Sequence, residues 1–339
     1  MLSLLGTGFG LGLLASWVTL LVVRNAGVVA HPNARSSHDT PTPTSGGVGF
    51  VVVILCFVAV YGEGSSALAL FLGGGVLAGL GLADDLLHVP AALRLVVHCI
   101  TVAVALWLLG GTELMVGQTL LGGTWFAVVL WLLGVWFINL YNFMDGIDGI
   151  AASQLLIYGG GAWLLSAGGG FASAGGGFAL ELTGFASAAV GGFLIFNWTP
   201  ARVFMGDVGS GFLGFLVWMI ALALAATQTV PFVASMVLLT VFWFDASYTL
   251  GVRIITGQAF ADAHRSHLYQ RVAQRAGHGM TVAIFSCYAL VWLYPLSVAV
   301  MKVPEWWPCW VGLGCVPLVV ASWRMGAGRL DLGNHAAGE

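Results

Sequence analysis

The sequence predicts an all-α integral membrane protein of about eleven transmembrane helices (ten or eleven), and two observations carry that reading. Of the 339 residues, 59% are apolar and only 7% are Asp, Glu, Lys or Arg, against roughly 45–50% and 25% in soluble domains, which excludes a soluble globular protein. Apolar runs of about 20 residues, each long enough to cross a ~30 Å hydrocarbon layer, recur along the entire chain. The 11 cations and 14 acids leave a net charge of −3. No basic surface is therefore large enough to hold a nucleic-acid backbone, and an anionic partner has to be met locally.

The runs fall at residues 2–23, 47–62, 66–83, 93–110, 125–143, 150–166, 178–196, 210–227, 231–252, 281–301 and 306–323. Residues 1–23 carry no charge and the first cation is Arg24, unlike the cationic start of a cleaved signal peptide, so the first run is expected to remain a membrane helix. Counting alternate sides puts the segments around Arg35, Asp85, Asp145, Asp207 and His264 on one face. Ten of the 11 cations go there too, with only Lys302 opposite, and the positive-inside rule makes that face cytoplasmic. The opposite connections hold Glu63, Glu113 and Glu305, while the uncharged stretch 159–177, dominated by Gly, Ala and Ser, reads as flexible loop and close-packed helix end. Cys56, Cys99, Cys287, Cys309 and Cys315 lie inside apolar runs at no zinc or disulfide spacing and read as small hydrophobes. No repeat or linker divides the chain, so residues 1–339 are expected to form one membrane domain.

Five polar segments on the predicted cytoplasmic face carry chemistry. The first loop, residues 31–47, has three prolines (Pro32, Pro41 and Pro43) that hold an extended path and Gly46-Gly47, which lets a backbone approach closely. It could cradle phosphate, and an ordinary polar turn reads the same way. Asp84 and Asp85 close the third run. A carboxylate at the bilayer centre costs ~2.5–3.5 kcal/mol, less at the interface, so a divalent cation, a pair of cations or headgroup water must offset each. Adjacent helical residues point ~100° apart, so the two acids are expected to do different jobs, one holding metal and the other acting as a base or positioning a nucleophile. The fifth run ends in Asn139 to Gly149, where Asp145 and Asp148 share a helical face if the turn continues; the EF-hand pattern is absent. Asn197 to Gly211 holds Asp207 among glycines before a helix that Ser210 could cap, with an N-terminus favouring phosphate. Asp262 to Arg271 brings His264 and His267 together with Arg265 and Arg271, a set suited to diphosphate. Zinc would need further soft ligands, whereas the acids suit magnesium. Asp245, inside the ninth run, is either a buried active-site acid or a structural one.

Asp84-Asp85, Asn142-Phe143-Met144-Asp145-Gly146-Ile147-Asp148-Gly149 and Phe204-Met205-Gly206-Asp207-Val208-Gly209-Ser210, in this order and on one side, resemble the signature motifs of the polyprenyl-phosphate N-acetylhexosamine-1-phosphate transferase family. The match covers five loops across roughly residues 31–271. The resemblance implies ten or eleven helices in the bacterial inner membrane with cytoplasmic active-site loops. It further implies transfer of sugar 1-phosphate from a UDP-activated N-acetylhexosamine to undecaprenyl phosphate, with Mg²⁺ (Mn²⁺ as a substitute). The products would be UMP and the first lipid intermediate of a surface polysaccharide such as lipopolysaccharide O-antigen. Asp84, Asp85, Asp145, Asp148 and Asp207 are the expected catalytic set. By the same resemblance Asp207 is the principal metal ligand, and Asp84 and Asp85 assist the metal and activate or position the lipid phosphate. Asn142, Asp145, Asp148 and Asn197 would surround the nucleotide sugar, and His264, Arg265 and His267 would grip diphosphate or sugar. A homodimer would be unsurprising in the family.

Two departures matter. His88 stands where many relatives carry a third acid and receives no metal role. The imidazoles of the last loop are separated, unlike the consecutive histidines of the branch that uses the muramyl pentapeptide nucleotide, which argues for a simple N-acetylhexosamine donor. The alternatives are that pentapeptide transferase and, from a different class, a lipid-linked transporter or flippase. A transporter would place ionisable groups near the bilayer midplane, whereas most acids here sit at one interface, with Asp245 the exception in its run.

Overall fold

The computed structural model describes residues 1–30, 40–111, 113–168, 177–258 and 264–329. Residues 31–39, including Arg35, the central part of the glycine-rich stretch and Asp262 lie outside the described residues. Fourteen helices follow one another among the described residues: α1 Leu2–Asn25, α2 Gly47–Tyr61, α3 Gly64–Leu87, α4 Ala91–Leu109, α5 Gly123–Met144, α6 Ile150–Gly168 and α7 Gly177–Asn197, then α8 Gly206–Ala226, α9 Phe232–Leu238, α10 Thr240–Ile255, α11 Leu268–Ala276, α12 His278–Tyr288, α13 Tyr294–Lys302 and α14 Trp307–Met325. Every apolar run expected from the sequence is helical.

The helix ends follow from local chemistry. His88 closes α3 in the left-handed conformation (φ 56°), and Pro90, whose φ is already helix-compatible, stands just before α4. α12 and α13 run together as one 25-residue span through a widened turn at Ala289–Leu293, immediately before Pro295, whose missing N–H cannot serve the preceding turn. Two short antiparallel hairpins complete the described chain, β1 Val29–Ala30 with β2 Thr42–Pro43, and β3 Leu114–Val116 with β4 Thr119–Leu121.

Among the described residues nine helices are long and apolar enough to cross a membrane, or ten when α9 and α10, bent by 72° about Leu239, are one broken span. The remaining expected span is α2, whose 15 residues reach only about 22 Å at 1.5 Å per residue. The protein is thus an all-α integral membrane protein. Its axis is α8: 89% of its apolar window is buried, against 61% for the next most buried span and 17–50% for the rest. A helix apolar all round has to be surrounded, and α8 is (Phe212–Leu222 are almost entirely buried), by α3 and α5 above all. Gly81 of α3 permits the closest approach, since a Cβ there would collide with the backbone of Asp207 and Val208.

Asp245 is structural. Fully buried in α10, it accepts the N–H groups of Leu268 (2.8 Å) and Tyr269 (2.9 Å), the first turn of α11, and the hydroxyl of Thr249 (3.1 Å). Asp245→Ala would leave those two buried donors unpaired at a cost of about 2–4 kcal/mol. The unfolding midpoint in detergent is expected to fall by several degrees, and Asp245→Asn, which keeps one acceptor, to lose less.

Candidate active site

Asp85 sits one turn from the end of α3 and reaches across to α8. Its Oδ1 accepts the N–H of Asp207 (2.9 Å), and its Oδ2 accepts the hydroxyl of Ser45 (2.9 Å) and, more distantly, the N–H of Val208 (3.5 Å). The expected cap of α8 was Ser210; the helix instead starts at Gly206, and a carboxylate from another helix takes its open N–H groups. Gly206 has φ +73°, and a Cβ there would run into the Asp85 carboxylate, so this position needs glycine twice over. Ser45, in the same left-handed region (φ 63°), is held there at the head of α2, where Gly46 and Gly47 donate to the carbonyls of Phe204 and Met205 (both 2.9 Å).

Asp84 is turned away from its neighbour, as the helical angle predicts. Its Oδ1 accepts the N–H of Val89 (2.7 Å) and its Oδ2 binds Arg94, in the first turn of α4. The same Arg94 Nη1 donates to Asp207 Oδ2 (2.9 Å), while Asn142 Nδ2 donates to Asp207 Oδ1 (2.7 Å) and to Ser210 Oγ (3.1 Å). Arg94, counted from sequence only as one more cation, is therefore the link between the second and fourth polar segments. The signal was present: Asp84 ends one helix and Arg94 begins the next across a proline turn, which folds the two together.

The turn after α5 does not continue. α5 stops at Met144, and Asp145 and Asp148 lie in the irregular link before α6, so no shared helical face brings them together. They nevertheless line one cavity of about 280 Å³ with Asp85, Asn142, Asn197 and Asp207. Asp148 Oδ2 accepts the N–H of Ala201 (3.1 Å) and faces Nδ1 of His278 (3.3 Å). Burial works against its ionisation, but the hydrogen bond and charge of His278, with Ala201 and Thr199, outweigh it and hold the carboxyl below the usual carboxylate range. Asp145 has the opposite environment. Loss of water, then the charges of Asp207, Asp85 and Asp148, push it well above that range. Asn197 is buried, accepting from Gly149 N–H (3.0 Å) and donating to the Val203 carbonyl (3.0 Å), so it ties two loops together at the cavity wall.

The last loop departs most from expectation. His267 is buried, with Nδ1 3.5 Å from Asp245 and its ring stacked on His264 (centroids 5.0 Å), and neither it nor His264 nor Arg265 lines the cavity. Gln270 and His278 do. Sequence spacing could not separate these, because α11 begins at Leu268 and turns the preceding histidine inward.

Four carboxylates and amide oxygens around one cavity, with no thiolate, are donors suited to a hard cation such as magnesium. Among the described residues no three His, Cys, Asp or Glu groups stand close enough together to hold an ion; Asp84 is drawn off to Arg94 and Asp85 to the α8 backbone. The fold and this site define a multi-spanning membrane transferase.

Residues 67–225 match the model of glycosyl transferase family 4. The chain is 28% identical over 316 residues to a probable undecaprenyl-phosphate N-acetylglucosaminyl 1-phosphate transferase of Bacillus subtilis, covering 86% of this chain and 82% of that one. It is 27% identical over 335 residues to a decaprenyl-phosphate N-acetylglucosaminephosphotransferase of Mycobacterium leprae (85% and 82%). It is also 33% identical over 231 residues to a phospho-N-acetylmuramoyl-pentapeptide-transferase of Moorella thermoacetica (61% and 69%). The chain belongs to this family of polyprenyl-phosphate sugar-1-phosphate transferases, and it is a phosphotransferase.

Arg94→Ala removes the only guanidinium bonded to Asp84 and Asp207 among the described residues and is expected to lower turnover by about 10²-fold or more, with Arg94→Lys intermediate, in a steady-state assay. Asp145→Asn separates stability from activity. The folded value of Asp145 lies above its unfolded ~3.9, so its cost is absent below that pH and grows as pH rises. The variant is therefore expected to melt higher than wild type at neutral pH, to lose that advantage below about pH 4, and to be inactive.

Proposed function

We propose that the protein transfers N-acetylhexosamine 1-phosphate from a UDP-linked donor to undecaprenyl phosphate, giving undecaprenyl-diphosphate sugar and UMP, and so starts a bacterial surface polysaccharide such as O-antigen. The observation that carries this reading is the convergence of the Asp84-Asp85, Asn142 to Gly149 and Phe204 to Ser210 segments on Asp207, beside a carboxylate-lined cavity at one end of the helices. Ten of the 11 cations fall on the same side by sequence count, which supports a cytoplasmic site in the inner membrane. N-acetylglucosamine transferases align over 85–86% of this chain, which supports a simple N-acetylhexosamine donor over the pentapeptide nucleotide.

Magnesium, or manganese in its place, would be held chiefly by Asp207 with the neighbouring cavity carboxylates, and would neutralise charge on the transferring phosphoryl group. The chain's own residues do the rest. Arg94 offsets two carboxylates at the point where lipid phosphate has to approach. Asn142 orients Asp207, and Asp85 sets the position of Asp207 along α8. Both carboxylate oxygens of Asp207 and of Asp85 are engaged in hydrogen bonds, which supports direct attack by a lipid phosphate oxygen on the sugar-bearing phosphorus, with UMP leaving, over a covalent aspartyl intermediate.

The test supplies purified protein with undecaprenyl phosphate, Mg²⁺ and a panel of UDP-N-acetylhexosamines plus the muramyl pentapeptide nucleotide, and follows UMP release. Lipid-dependent release from one simple donor, abolished by EDTA and in Asp207→Asn, is expected. Release from the pentapeptide nucleotide alone would replace the donor, and no release from any would remove the reading.

A further inference from the structure

The cavity has a charge problem. Its walls carry Asp85, Asp145, Asp148 and Asp207 and no lysine or arginine; the one basic side chain lining it among the described residues is His278. A nucleotide diphosphate entering such a space meets charge of its own sign on most sides. His278 lines the cavity beside Asp148. It opens α12, an 11-residue helix whose N-terminal dipole has the sign that suits an anion, and its Nδ1 is 3.3 Å from Asp148 Oδ2. Nδ1 also lies 3.4 Å from the Asp148 backbone N–H, so Asp148 holds that edge of the ring and fixes its orientation, and Nε2 is the ring nitrogen that can meet a ligand.

Resting on the donor reading above, we propose that His278 is the cationic contact for the anionic nucleotide moiety, donating from Nε2 to a phosphate oxygen, and that Asp148 is a positioning residue acting through it. This reassigns the imidazole of the site. Of the histidines marked by the sequence motif, His267 is buried against Phe143 and Asp245 and His264 stacks on it, while His278, seven residues beyond the motif, is presented to the cavity. The alternative, that the Asp148–His278 pair merely staples the link after α5 to α12, makes no demand on charge.

The test is UMP binding by titration calorimetry to the purified full chain and to His278→Ala, His278→Gln and His278→Lys, with thermal melting of each. One charge-assisted hydrogen bond corresponds to about 10- to 100-fold in affinity, so Ala and Gln are expected to weaken UMP by about that factor and Lys to recover most of it. Asp148→Asn is expected to weaken UMP less than His278→Ala. Should the alanine variant fail to fold, the glutamine variant, neutral and of similar reach, gives the same comparison. Unchanged affinity in Ala and Gln, or equal loss in Lys, overturns the contact. Absence of UMP binding by wild type removes the donor reading itself, and this contact with it.

Discussion

The structure depends on one carboxylate placed against one helix end. Asp85, from α3, accepts the first N–H groups of α8, and α8 is the buried axis around which the other helices stand. An exposed helix can leave its first N–H groups to water, but a central helix at a membrane boundary needs an acceptor inside the protein. Supplying that acceptor from α3 fixes the height of α8 relative to α3, and Gly81 and Gly206 remove the side chains that would keep the two apart. The position of Asp207, the second residue of α8, follows directly.

From that anchor the remaining contacts radiate. Arg94 and Asn142 each take one oxygen of Asp207, so α4 and α5 are registered on the same carboxylate as α3 and α8. Ser45 and the backbone of Gly46 and Gly47 bring the first loop to Asp85 and to the Phe204–Met205 carbonyls. Asn197 and Asp148 secure the next layer, tying the link after α5 to the loop before α8. Chain segments more than 100 residues apart are held by charge-assisted bonds in a partly dry setting, where such bonds are strongest and an unpaired partner costs most.

The same arrangement concentrates negative charge in the cavity. Asp148 is relieved by His278, whereas Asp145 is pushed up by burial and then by the charges of Asp207, Asp85 and Asp148. A folded protein optimised for stability alone would not keep a carboxyl in that position; one that transfers phosphorylated groups has reason to. The Asp245 carboxylate shows the contrast. It is equally buried, but N–H donors and a histidine surround it, and its work is to hold α11 in place.

Much of this was legible in the sequence. Apolar run length requires helices wherever backbone groups meet hydrocarbon, so the all-α membrane class and the place of nearly every helix followed from composition and periodicity. Acids that would be costly in lipid marked Asp84, Asp85, Asp145, Asp148 and Asp207 as residues with partners. Which partners they have was decided only by tertiary structure. Ser210 read as the α8 cap, and Asp85 is the cap; Asp145 and Asp148 read as one helical face, and the helix stops before both. His264 and His267 read as ligand contacts, while Arg94, Gln270 and His278, to which the sequence reading gave no role, reach the site or its rim. The physical reason is the range of the forces involved. Helix formation and membrane insertion are settled within a turn or a span of chain, but hydrogen bonds and ion pairs of ~3 Å reach are settled by how close the packing of α3, α4, α5 and α8 brings groups distant in sequence.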